Sequence, residues 1–176
     1  MARSSTRTLL VLLAVVVAIS AAASPASAAD VAGICKGTAY PELCVAMAGK
    51  QAGGATPVDA LAVLNMQVDA FEIHAAKAKA HVVELSAAPT TTPKAKEALD
   101  LCGNLYGDVL DTLGAAKRAI VFKDAVTIRA MMSMAAQDMQ GCDEKFRQVG
   151  ENNPLTHFDQ SLLNLSENCR YLSNMI

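Results

Sequence analysis

The chain has 176 residues, of which 52% are hydrophobic and 4% aromatic, and its 15 basic and 17 acidic residues give a net charge of −2. This slightly acidic balance argues against nucleic acid or an anionic membrane surface as the partner, because both attract basic proteins. The length suits one domain with one core, and a composition rich in Ala, Leu, Val and Met, with no Trp, favours helices over strands.

The first 28 residues are predicted to be a secretory signal peptide. Arg3 and Arg7 precede an uninterrupted apolar run at 9–19, and small residues follow, with Ala26-Ser27-Ala28 as the expected cleavage site. A membrane-spanning helix needs about 20 apolar residues, so this run is too short for a retained anchor. We therefore expect a secreted mature chain, residues 29–176, that is not held in a membrane.

The stretch "ICKGTAYPELCVAM" at 34–47 places Cys35 and Cys44 on either side of Tyr40-Pro41. Cysteines of a secreted protein default to disulfides, whereas a metal site would favour closer pairs and nearby histidines. The short separation makes a local Cys35–Cys44 bridge the simplest pairing. We expect it to staple a short helical or turned arm.

Apolar residues at alternating steps of three and four predict four amphipathic helices in the rest of the chain. The first helix follows Pro57 for about 28 residues and has the stripe Leu61, Leu64, Val68, Phe71, Ala75, Ala78, Val82 and Leu85. The second follows Pro93 and has the stripe Ala98, Cys102, Leu105, Val109, Leu113, Ala116 and Ile120. The third has the stripe Ile128, Met131, Ala135, Met139, Cys142 and Phe146. The fourth, with Thr156 as its cap, has the stripe Phe158, Leu162, Leu165, Cys169, Leu172 and Ile176. Short polar connections favour an all-α, up-down-up-down four-helix bundle.

The helical phase also predicts the second disulfide. Cys102 and Cys142 lie on the core stripes of consecutive, antiparallel helices, where side chains of neighbouring helices meet. A bridge between them would close a loop of about 40 residues and stabilise the fold by about 4 kcal/mol. Cys169 then remains as a buried, inert free thiol.

No arrangement of residues in the sequence supports catalysis, a metal site or a cofactor. His74 and His81 share a helical face but have no third ligand at metal-binding spacing, and His157 has no nucleophile at a matching spacing. The methionines at 131, 132, 134 and 139 favour core filling, with a groove for a lipid or peptide as the alternative. Asn164-Leu165-Ser166 is an acceptor sequence for N-glycosylation, and helix geometry directs Asn164 towards solvent.

Acidic side chains recur on the second and third predicted helices. They are Asp100, Asp108, Asp111, Asp124, Asp138, Asp143 and Glu144. An ordinary solvated face, with Asp124 capping its helix, explains this pattern, and a functional acidic face is the alternative.

Two further stretches join the cysteines in a pattern that resembles a known family. They are "CGNLYGDVLDTLGAAKRAI", which begins at Cys102, and "SMAAQDMQGCDEKF", which begins at Ser133. Together with the Cys35–Cys44 stretch they resemble the plant invertase and pectin methylesterase inhibitor family over essentially the whole mature chain. The resemblance implies a helical hairpin extension at 29–55 before a four-helix bundle at 56–176, with both disulfides paired as above.

This family includes inhibitors of pectin methylesterase and inhibitors of acid invertase, and the sequence favours the first. Invertase inhibitors carry a Pro-Lys-Phe motif between the second and third bundle helices, where this chain has Phe122-Lys123-Asp124. Pectin methylesterase inhibitors cover the enzyme's cleft with polar and acidic residues of those helices. The positions that match are Asp108, Asp111, Asp124 and Glu144. Gly141, where a threonine is frequent in the family, is a departure from this pattern.

We therefore expect a secreted, non-catalytic inhibitor that blocks the substrate cleft of a pectin methylesterase in a reversible complex and so preserves methyl esters in cell-wall pectin. An inhibitor of cell-wall or vacuolar acid invertase is the alternative. A helical carrier of a hydrophobic ligand is a third, more remote hypothesis.

Overall fold

The computed structural model describes residues 30–49 and 58–176, and these ranges contain six α-helices and no strand. The helices are α1 (Val31–Cys35), α2 (Pro41–Gly49), α3 (Ala60–Ala87), α4 (Pro93–Val121), α5 (Ala125–Val149) and α6 (Thr156–Leu172), and a 3₁₀ turn follows at Ser173–Met175. The all-α prediction is confirmed. The predicted signal peptide at 1–28 and the boundary between extension and bundle at 55/56 lie outside the described residues.

Helices α3 to α6 form the predicted up-down-up-down four-helix bundle. Each helix packs against its neighbours in sequence, and α6 returns to pack against α3. Side-chain contacts join neighbouring helices: Lys117 on α4 reaches Glu72 on α3 at 2.5 Å, and the Ser166 hydroxyl on α6 donates to the Met132 carbonyl on α5 at 2.9 Å. The four apolar stripes meet along the axis, where Phe71, Tyr106, Phe146 and Leu162 are almost completely buried.

Three of the four bundle helices begin with a side-chain cap. Asp59, Thr92 and Asp124 accept hydrogen bonds from backbone N–H groups three residues later. The expected Thr156 cap of α6 is wrong, because Leu155 occupies the N-cap position and the Thr156 hydroxyl donates to the Asn153 carbonyl instead.

Helices α1 and α2 form a hairpin that the Cys35–Cys44 disulfide closes. This hairpin docks on the bundle through α6, because the Asn168 side chain accepts from the Tyr40 N–H at 3.0 Å and donates to the Tyr40 carbonyl at 2.9 Å. On α3, the Gln67 amide donates to the Cys44 carbonyl at 2.8 Å. The extension is therefore held by backbone recognition as well as by apolar packing.

Candidate protein-contact face

Helices α4 and α5 form the tightest pair of the bundle. The Cys102–Cys142 disulfide joins them with their Cα atoms 4.8 Å apart. Beside it, Leu105 of α4 lies over Gly141 of α5, where a Cβ atom would be 3.3 Å from the leucine Cδ1. A side chain at position 141 would therefore require a small shift of the Leu105 side chain. Cys169, in contrast, is a free and fully buried thiol on α6, and burial raises its pKa.

The outward side of this helix pair carries two neighbouring carboxylates. Asp108 on α4 is exposed, and Asp138 on α5 is partly buried opposite it. Burial, and to a lesser degree the negative charge of Asp108, raise the pKa of Asp138. Neither carboxylate forms an ion pair within the described residues. The sequence placed both among the acidic residues, but helical phase alone could not show that Asp138 is the partner of Asp108.

The four predicted contact residues do not form one cluster. Asp111 is exposed one turn after Asp108 and shares its side of α4. Asp124 and Glu144 lie near opposite ends of α5, twenty residues and therefore about 30 Å apart. Asp108 and Asp111 are thus the two predicted contact residues that lie close together.

Asp124 and Glu144 are both held by local contacts. The two Asp124 oxygens accept from the Thr127 hydroxyl and the Thr127 backbone N–H, and both hydrogen bonds lower the Asp124 pKa. Hydrogen bonding to Arg147 lowers the pKa of Glu144. Each of these two carboxylates is therefore already hydrogen-bonded to a neighbouring residue of its own chain, which leaves it less available to a partner protein.

Exposed apolar side chains flank the acidic centre. Leu101 on α4 is 38% exposed and Met134 on α5 is 49% exposed. We call the surface formed by Leu101, Asp108, Asp111, Met134 and Asp138 the α4–α5 face. Its mixture of apolar and unpaired acidic groups suits contact with a protein surface that carries basic residues.

The connection between α4 and α5 carries a second exposed apolar group. Val121, Phe122 and Val126 are 77%, 82% and 69% exposed, and Lys123 between them has a left-handed backbone with φ of 53°. This loop projects its aromatic ring into solvent at the end of the bundle. Helical periodicity did not reveal it, because the predicted apolar stripe ends at Ile120.

Asn164 and His81 lie on helices that do not form this face. Asn164 on α6 is partly exposed, and its amide oxygen accepts from Gln160. His81 contacts Glu84 on its own helix at 3.1 Å. Across residues 30–49 and 58–176, no three His, Cys, Asp or Glu side chains are grouped to hold a metal ion. The methionines divide, with Met132 and Met139 buried in the core and Met134 exposed.

Comparison with known proteins identifies the family. The family model described as plant invertase/pectin methylesterase inhibitor matches residues 29–172. A solved structure of a mutant form of a pectin methylesterase inhibitor from Arabidopsis is 17% identical, with a TM-score of 0.68 over 81% of this chain and 94% of that chain. A second, from Arabidopsis thaliana, is 16% identical with a TM-score of 0.62 over 82% and 94%. At these identities the structures show a shared fold.

A comparison with curated protein sequences gave no significant match. None of the helices in the described ranges combines the length and apolar character needed to cross a bilayer. The family match covers most of the chain and includes both disulfides and all four bundle helices. The chain belongs to the plant invertase/pectin methylesterase inhibitor family.

Proposed function

We propose that this protein inhibits a pectin methylesterase by laying the α4–α5 face across the enzyme's substrate cleft. The observation that carries the proposal is the unpaired Asp108 and Asp138 at the centre of that face, with Asp111 exposed one turn along. De-esterified pectin is a polyanion, so a cleft that follows it is expected to have basic groups on its rim. An acidic face with apolar flanks complements such a rim and increases both the encounter rate and the specificity.

In this proposal the inhibitor is secreted to the plant cell wall and forms a reversible complex that preserves pectin methyl esters. It needs no catalytic group or cofactor of its own, because occlusion of the cleft requires only a complementary surface. Asn164, partly exposed on α6, is the proposed glycan attachment point.

The first experiment titrates the purified protein separately against a pectin methylesterase and an acid invertase at several mildly acidic pH values. We expect stoichiometric, reversible loss of esterase activity and little change in invertase activity. If both enzymes keep full activity throughout, the inhibitor proposal fails.

A charge-reversal variant then tests the face. Asp108→Lys with Asp111→Lys should weaken esterase inhibition about tenfold or more, because lysines would meet the basic rim. The matched control is Glu84→Lys with Glu167→Lys, which reverses two exposed charges on α3 and α6. Circular dichroism should show unchanged helicity in both variants, and equal inhibition by both would refute this contact face.

Acid invertase is the second candidate target, and the exposed α4–α5 loop favours it. Phe122 and Lys123 present an aromatic ring and an ammonium group at the position where related invertase inhibitors carry Pro-Lys-Phe, although the order differs and the proline is absent. Phe122→Ala should therefore weaken invertase inhibition and leave esterase inhibition intact if this loop is the contact. The carrier hypothesis lacks comparable support, since Met132 and Met139 fill the core.

A further inference from the structure

A groove of about 470 Å³, lined by both apolar and polar side chains, lies between α3 and α4, on the side of α4 away from α5. Its volume falls within the range of small-ligand sites. Val82 and Leu99 form an apolar floor. Gly103 leaves the helix surface open, because only the Val82 side chain comes within 3.4 Å of the position where its Cβ would be.

Two lysines bracket this groove. The Lys79 side chain crosses from α3 to α4, and its Nζ lies 3.0 Å from the position that a Cβ on Gly107 would occupy. Lys96 lines the groove eleven residues earlier on α4, about 16 Å along the helix from Gly107. Neither ammonium group has an ion-pair partner within the described residues. Two exposed ammonium groups near the ends of one groove complement a ligand whose negative charges are similarly far apart.

The polar groups between the two lysines add hydrogen-bonding requirements for the ligand. Asp100 is four residues after Lys96 on the same helix and therefore on the same side of it, but the two form no ion pair within the described residues. Asn104 lies beside it, and the buried Ser86 hydroxyl has no hydrogen-bond partner among the described residues. The exposed carboxylate of Asp100 and the amide oxygen of Asn104 can accept hydrogen bonds from ligand hydroxyls. A chain of carboxylates alone would be repelled by Asp100.

We propose that the α3–α4 groove binds a short carboxylated oligosaccharide. Carboxylates near its two ends contact Lys79 and Lys96, while its hydroxyls contact Asp100 and Asn104. The apolar floor accommodates the C–H faces of the sugar rings. The choice of galacturonate as the sugar rests on the proposed function, whereas the charges and geometry of the groove do not.

This site lies on the opposite flank of α4 from the α4–α5 face. A single inhibitor could therefore hold an acidic stretch of pectin while its other flank contacts the enzyme. The groove would concentrate the inhibitor on de-esterified regions, where the esterase has already acted.

The test is a nuclear magnetic resonance titration of the isolated protein with trigalacturonate. We expect shifts in the amide signals of Gly103, Asn104 and Gly107 that saturate, and an affinity that falls as salt is raised. Fully methyl-esterified trigalacturonate, which lacks the negative charges, should bind at least about tenfold more weakly. Equal shifts with the ester, or no shifts with the acid, would overturn the proposal.

Matched lysine variants locate the site. Lys79→Met with Lys96→Met should reduce trigalacturonate affinity about tenfold. Lys77→Met with Lys94→Met removes two lysines that each lie two residues away on the same helices, turned about 200° around the axis, and should leave the affinity unchanged. Equal losses in both double variants would indicate non-specific attraction and refute the groove as the site.

A short polyglutamate peptide distinguishes the sugar from an acidic polypeptide. Weaker binding than that of trigalacturonate supports the sugar site, and tighter binding overturns it in favour of an acidic peptide. Every titration uses the inhibitor alone. A failure of enzyme inhibition and a failure of sugar binding are therefore separate results.

Discussion

At the N-terminal end of α6, the Asp159 carboxylate is only 4% exposed and accepts a hydrogen bond at each oxygen. The Tyr106 hydroxyl of α4 donates to one oxygen at 2.5 Å, and the Asn153 amide donates to the other at 2.9 Å. Burial raises the Asp159 pKa, the two hydrogen bonds oppose that change, and the nearby Asp143 charge adds to it. The hydrogen bonds from Tyr106 and Asn153 therefore determine how much the ionised Asp159 carboxylate destabilises the fold.

Replacing Tyr106 by phenylalanine tests this balance. Loss of the donor should lower the free energy of unfolding by about 1–3 kcal/mol at neutral pH, because the buried carboxylate loses one partner. A carboxyl group whose folded-state pKa is raised costs stability as the pH rises from its unfolded pKa through the folded one. The variant raises the Asp159 pKa further, so its deficit should widen from acidic to neutral pH.

Urea unfolding of the wild-type protein and the Tyr106→Phe variant at several pH values measures this difference. Tyr40→Phe serves as the control, since Tyr40 is exposed and bonds α6 through its backbone only. A deficit that is constant with pH would show that lost packing, and not the Asp159 charge, is responsible.

At the scale of the elements, the α1–α2 hairpin depends on two short pieces of helix that could not form a core alone. Its disulfide closes the hairpin, while Asn168 and Gln67 recognise its backbone from the bundle. Gly37 adds a steric requirement, because a Cβ there would overlap the side chain of Tyr171 on α6. The hairpin therefore docks at one defined position on α6.

The substitution Asn168→Ala should weaken the docking of the α1–α2 hairpin on α6. The substitution removes both hydrogen bonds to Tyr40, which together contribute about 2 kcal/mol, so amide hydrogen exchange in α2 should accelerate about tenfold or more. Mass-spectrometric hydrogen exchange provides the measurement. The control Asn164→Ala alters an asparagine on the same helix whose side chain, among the described residues, hydrogen-bonds to Gln160 and not to the hairpin. Unchanged exchange in α2 would mean that apolar packing alone seats the hairpin.

For the whole molecule, the arrangement of charge matters more than the net value of −2. Lysines and arginines neutralise acidic groups elsewhere, as Lys117 does for Asp69 and Glu72 on α3. The carboxylates at 108, 111 and 138 have no basic partner within the described part of the chain. The molecule thus presents a locally negative surface on the side of the bundle formed by α4 and α5.

The proposed complex should consequently weaken as the pH falls. A basic partner group stabilises the ionised form of Asp138, whose pKa in the free inhibitor is raised, so complex formation releases a proton. Affinity should increase as the pH rises through that pKa. Calorimetry in buffers of different ionisation enthalpy measures the number of protons released on binding. The Asp138→Asn substitution should reduce that number. Proton uptake on binding would contradict this orientation of the α4–α5 face.

Helical periodicity predicted much of this architecture because the apolar stripes record how each helix faces the core. The stripe from Leu61 to Leu85 anticipated α3 and its length of 28 residues. The same method missed Asp159 and Asn168, because polar residues on a buried face are left out of an apolar stripe. It also could not show that Asp108 and Asp138 are neighbours. Periodicity gives the direction of a side chain around its own helix, but not its position along the axis relative to the next helix.

The Cys102–Cys142 disulfide fixes the position of α4 along the axis relative to α5. It lies buried beneath the α4–α5 face and joins the two helices that carry it, so sliding of one helix along the other is covalently prevented. The spacing of acidic and apolar groups is thereby set during oxidative folding, before any partner is met. Such a preorganised surface loses little conformational entropy on association, which favours slow dissociation from its target.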